Sequence, residues 1–151
     1  MATPDPPAPT NNLRRSGEVL EKTIVPCLVM NGYTTQRRAR VGFRPQGGRH
    51  EVDVLATSGS GQKVLVSCKW QQKQGSVEEK IPWDVLCLGA LMAQPGRPFA
   101  NAYMVIGGTG FRVDMKDFYL RGGLNPFIKN AELVHMVTID ALISLANERK
   151  L

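Results

Sequence analysis

The sequence predicts an α/β fold, a mixed central β-sheet flanked by helices in the order α-β-β-β-α-β-α-β-α, and three observations predict it. Two runs, Glu51 to Ala56 and Lys63 to Gln71, alternate apolar and polar residues on either side of a Gly-Ser turn. That is the period of half-buried strands in a hairpin. Asn101 to Gly107 (NAYMVIG) is almost wholly apolar, as a strand covered on both faces must be. Ile81 to Ala93 is apolar around most of its circumference, which predicts a buried helix or a subunit interface. Strands separated by helix-length segments build a sheet with helices on its faces.

The elements follow in order. Residues 1 to 12 (MATPDPPAPTNN) hold four prolines and no large apolar residue after Met1, so a disordered tail is expected there, with no signal-peptide core. The remainder, 13 to 151, is about one domain long. A helix begins at Ser16 with Leu20, Ile24 and Leu28 four apart, Pro26 predicts a kink or early break, and Asn31-Gly32 is a usual stop. Tyr33 to Phe43 reads as a twisted, arginine-rich strand, and the loop Arg44 to Arg49 leads into the hairpin. After a polar loop from Gln72 to Lys80, the apolar helix opens with Pro82 in its first turn. Short helices are expected from Val113 to Leu120, a strand from Leu133 to Thr138, and a closing helix from Ile139 to Arg149.

Composition narrows the function. The chain is 42% hydrophobic and 21% charged, and no apolar run approaches the roughly 20 residues that cross a bilayer. Cys27, Cys68 and Cys87 have no metal-site or disulfide-framework spacing, so a reducing, cytoplasmic location is expected. The net charge of +6 is concentrated: between Glu21 and Glu78 stand nine bases and only two acids, Glu51 and Asp53. Such a segment favours a polyanionic partner, of which nucleic acid is the commonest. The residues expected on DNA are Arg37, Arg38, Arg40, Arg44, Arg49 and Lys73.

The hairpin carries the chemistry. Paired residues summing to 120 bring the two apolar faces together, which sets Ser67 opposite Asp53 and Lys69 opposite Glu51. Glu51, Asp53, Ser67, Lys69 and Gln71 then share one face, while Trp70 turns to the core. Carboxylates that hold a hard divalent cation, beside a lysine that orients water and stabilises phosphoryl charge, suit phosphodiester hydrolysis. Because Asp53 and Lys69 lie on a polar strand face, truncating either is expected to cost little stability. His50 and His135 stand alone and read as structural, with His50 placed beside the site. Gly107-Gly108-Thr109-Gly110 lacks the Walker Lys-Ser/Thr and reads as a turn.

An acid on one strand and an acid-x-lysine on the next resembles the PD-(D/E)xK, or restriction-endonuclease-like, nuclease superfamily, here Asp53 followed by Ser67-Cys68-Lys69. Gly17, Glu21 and Gly32-Tyr33 match the first helix of small stand-alone members, and the Ser-x-Lys-Trp-Gln second motif resembles one group of small nucleases. The resemblance implies a restriction-endonuclease-like core and a magnesium-dependent DNA endonuclease of homing, restriction or junction-resolving type, with manganese as a possible substitute. Ser67 departs from the pattern, since the superfamily usually has Glu, Asp or Gln there. Glu51 and Glu21 are the candidates to supply the missing carboxylate beside Asp53 as metal ligands. If neither reaches the metal, the chain is an inactive nucleic-acid-binding relative. A homodimer or higher oligomer is expected if both strands of a duplex are cut, with the helix from Ile81 to Ala93 as its surface.

Overall fold

A computed structural model describes residues 15–151, so the expected tail at 1–12 lies outside the described residues. The first helical stretch is continuous: α1 (Ser16–Val19), a π-helical turn (Leu20–Ile24) and α2 (Val25–Met30). Pro26 does not end it. The proline lacks the N–H that an α-turn needs, and the wider π-turn stands immediately before α2, where Pro26 is in the first turn. Gly32 at φ 88° closes the helix.

Strands β1 (Thr34–Phe43), β2 (Arg49–Thr57) and β3 (Lys63–Trp70) form an antiparallel meander. Helix α3 (Val77–Met92) crosses to β4 (Phe99–Gly107), and α4 (Val113–Leu120) with a short 3-10 turn (Ala131–Leu133) leads to β5 (Val134–Val137). Both crossovers return parallel strands, giving the sheet order β1-β2-β3-β4-β5. The last helix is α5 (Ile139–Asn147), capped by the Thr138 hydroxyl, which accepts from Ala141 N–H at 3.1 Å. The expected element order is the observed one, and no helix among the described residues is long and apolar enough to cross a membrane.

Two cores sandwich the sheet. On one face Leu20, Ile24 and Leu28 pack with Val54, Ala56, Val64, Val66, Trp70 and Leu142. On the other, Ile81, Val85, Leu88 and Leu91 pack with Leu65, Met104 and Ile106. Both faces of β3 are therefore covered, and Leu65, expected on the polar face, is fully buried. The apolar character of α3 is explained the same way, because its large apolar residues apart from Trp83 and Leu86 pack within the molecule.

Two departures from expectation have physical causes. Helix α3 begins at Val77, so Pro82 sits inside it. The Glu78 carbonyl, which an N–H at position 82 would otherwise meet, instead accepts from the Tyr119 hydroxyl at 2.7 Å. Val52 packs with the α3-side core while Val54 and Ala56 pack on the other. The switch occurs at Asp53, opposite Arg38, whose φ of 52° interrupts β1 between the pairs Arg37↔Val54 and Ala39↔Val52. A left-handed residue twists the ribbon there and rotates β2 with it.

Candidate functional site

The expected register holds over half of the hairpin. Val54↔Val66, Leu55↔Leu65, Ala56↔Val64 and Thr57↔Lys63 all sum to 120, and then the ladder stops. Beyond it, the β3 backbone turns to side chains. Asp53 Oδ2 accepts from Cys68 N–H at 2.8 Å, and Ser16 Oγ at the start of α1 accepts from Trp70 N–H at 2.9 Å. An unpaired N–H in a half-buried gap is costly, so a carboxylate and a hydroxyl stand where β2 should have been. The outcome is a fork between β2 and β3 with Asp53 at its crotch.

Opening the fork dissolves two expected pairs. Ser67 and Asp53, and Lys69 and Glu51, are not cross-strand partners, because the strands have diverged before reaching them. Glu51 pairs with Arg40 of β1, is exposed, and makes no side-chain hydrogen bond or ion pair among the described residues. Ser67 is buried. Glu21 is 71% exposed and lies 3.8 Å from Arg37.

The carboxylate that Lys69 meets belongs to Asp84. Lys69 Nζ lies 2.6 Å from Asp84 Oδ2, and Arg44 Nη1 lies 3.5 Å from Oδ1, with Asp84 only 18% exposed. Arg44 also donates to Cys87 Sγ at 3.8 Å, so the end of β1 is tied to α3. His50 completes this side. It is 4% exposed, its Nδ1 has no partner, and burial holds its pKa below the ordinary value. The Arg44 charge pushes in the same direction, against Asp84. Asp84 is absent from the sequence expectations, yet one signal was readable: it is the only charged residue between Ile81 and Ala93. A lone charge on a buried helix needs a partner.

Gln71, expected beside Lys69, is buried and occupied elsewhere. Its Oε1 accepts from Glu78 N–H at 3.1 Å and its Nε2 donates to the Gly110 carbonyl at 2.9 Å. Gly110 N–H returns a bond to the Gln71 carbonyl at 2.7 Å. Any Cβ at Gly108 or Gly110 would strike the backbone of Gln71 or Lys73, so the Gly-rich turn fits only as glycine. Gln71 thus pins the exit of β3, and with it Lys69, to the β4–α4 loop. Of the expected DNA contacts, Arg38, Arg40, Arg49 and Lys73 are exposed, Arg37 has a buried Nε and faces Glu21, and Arg44 is engaged with Asp84.

The donors around the fork are hard. Burial, with Asp53 close by, pushes the Cys68 thiol up to about 12, and burial raises that of Cys87, so neither offers a thiolate at neutral pH. No three His, Cys, Asp or Glu side chains converge on one point among the described residues. Asp84 meets the Lys69 ammonium and Asp53 holds the N–H of the neighbouring Cys68, and carboxylate oxygens of this kind suit magnesium, which keeps most of its waters.

A family model described as a PD-(D/E)XK nuclease superfamily domain matches residues 12–150. No curated protein matches the sequence. Among solved structures, the chain is similar to a protein of unknown function, AF1548, at 13% identity and a TM-score of 0.45 over 82% of this chain. It is also similar to a repair endonuclease from Pyrococcus abyssi, at 14% identity and a TM-score of 0.39 over 81%. The matches span 63% and 43% of those two chains.

Proposed function

The chain belongs to the PD-(D/E)XK nuclease superfamily, and from that premise we propose that it is a divalent-cation-dependent DNA endonuclease acting at the β2–β3 fork. The observation that carries this reading is the ion pair of Lys69 with Asp84, one residue along β3 from the backbone N–H that Asp53 holds. Asp53 is bound to the backbone N–H of the residue before Lys69, and Asp84 is 2.6 Å from its ammonium. In this reading Asp84 supplies the acid that Ser67 does not, in preference to Glu51 or Glu21, because it alone of the three contacts the motif lysine.

Asp53 and Asp84 would hold magnesium, or manganese in its place, and the bound cation would neutralise phosphoryl charge and acidify a water. Lys69 orients the attacking water and stabilises charge on the phosphoryl oxygens. Arg44 keeps Asp84 aimed at the fork, and the Gln71 clamp holds Lys69 at its height on β3. The exposed Arg38, Arg40 and Arg49 hold the DNA backbone. Cutting both strands with one site of this size takes two copies or two visits, and the working form proposed is a homo-oligomer.

The test is incubation of supercoiled plasmid and branched DNA with magnesium or with EDTA. Nicked or linear product only with magnesium, and none from Lys69→Ala, is the expected result. Cleavage in EDTA overturns it. A second reading, an inactive DNA-binding module, draws on Ser67 and on the engagement of both Asp84 oxygens by cations. Binding without cleavage under every divalent cation would select it.

A further inference from the structure

Most exposed large apolar side chains sit at helix ends or loops, but Phe43 stands on the arginine-rich ribbon and is 63% exposed. Its orientation follows from its neighbours. A methyl group on Gly42 would meet Leu91 of α3 at 2.8 Å, and Arg44 reaches Asp84 and Cys87 of the same helix. Strand alternation therefore turns Phe43 away from α3. Its cross-strand partner is Arg49, and the next pair along the ribbon is Gly42↔His50, followed past a bulge by Arg40↔Glu51. Arg40 and Arg49 are exposed, as is Arg38 opposite Asp53.

An aromatic face that no core claims, with exposed Arg49 across the ribbon and Arg40 along it, matches a nucleic-acid strand in both its parts. Phosphates meet the arginines, and a base meets the ring. In an intact duplex the bases are stacked on one another and present only edges in the grooves, so a phenyl ring gains little there. We propose that Phe43 stacks on an unpaired base, making the preferred substrate DNA with a single-stranded or extrahelical nucleotide near the scissile bond. This rests on the reading of the chain as a DNA nuclease.

The experiment measures binding in EDTA, where no cleavage intervenes, by anisotropy of labelled single-stranded DNA, a paired duplex, and the same duplex carrying one extrahelical 2-aminopurine. Phe43→Ala should weaken binding to the first and third probes by roughly 5- to 100-fold and to the paired duplex by less than about 2-fold. Phe43→Trp should restore it. The 2-aminopurine emission should change on binding wild-type protein and not on binding Phe43→Ala. Paired-duplex binding and circular dichroism report that the variant is folded. Equal losses on all probes, no loss on any, or an emission change that persists in Phe43→Ala each overturn the proposal. A protein that passes these tests but never cuts DNA with magnesium refutes only the nuclease reading, whereas one that cuts normally yet shows no probe discrimination refutes only this one.

Discussion

The two halves of the β2–β3 hairpin obey the same chemical demand in different ways. From Val54 to Thr57 the ladder is closed, and backbone meets backbone across buried Val and Ala side chains. From Asp53 outward the strands part, and β3 is met by a carboxylate and a serine hydroxyl. The closed half is redundant, because its hydrogen bonds survive most side-chain changes. The open half depends on particular side chains, and in the proposed reading Asp53 serves as both structural acceptor and site acid. Function and stability are separable in the first half and coupled in the second.

The largest expected effect tests whether the open half is the site at all. Lys69→Ala should lower plasmid cleavage by roughly 10²- to 10⁴-fold while leaving the fold intact, since Asp84 keeps Arg44. Near-wild-type rates would place the chemistry elsewhere. Next, Asp84→Asn should raise the magnesium concentration needed for half-maximal rate by roughly 10- to 100-fold, the range expected when a metal site loses part of its support. Glu51→Gln and Glu21→Gln should leave the titration unchanged, and a shift in either would return the missing acid to β2 or the first helix.

Asp53 sharpens the comparison through stability. Asp53→Ala leaves the Cys68 N–H unmet and should cost about 1 to 3 kcal/mol in urea unfolding, with Asp53→Asn recovering part of that through its carbonyl. This replaces the expectation that truncation there is cheap. Thr57→Ala in the closed half should stay within about 0.5 kcal/mol. If the two positions cost the same, the coupling is refuted.

A smaller effect concerns binding. Neutralising Arg37, Arg38 and Arg40 together should flatten the slope of log affinity against log salt by about two units rather than three, because Arg37 faces Glu21. A slope change of three would mean that Arg37 turns outward on DNA. The smallest involves His50. Burial lowers its folded pKa below the unfolded value of 6.5, so its contribution to stability is complete above that value and is lost as pH falls through the window beneath it. The melting temperature should therefore drop from pH 7 to pH 5, and less steeply in His50→Gln.

Much of this was legible in the residues. Alternation with period two and the length of the Thr57 to Gln62 turn sufficed for the hairpin register, since a one-residue slip would expose an entire apolar face. The element order followed from apolar periodicity in the same way. These are local properties, decided within a few residues of chain. Where a long side chain ends up is not local. Asp84 reaches Lys69 only through the rotation and height of α3 over β3, Gln71 turns into the loops because two glycines let the β4–α4 turn approach, and Val52 changes face because Arg38 on another strand twists the ribbon. Each depends on elements packed from distant parts of the chain, so the polar contacts of the site were decided by tertiary packing, while the sequence alone determined the sheet that presents them.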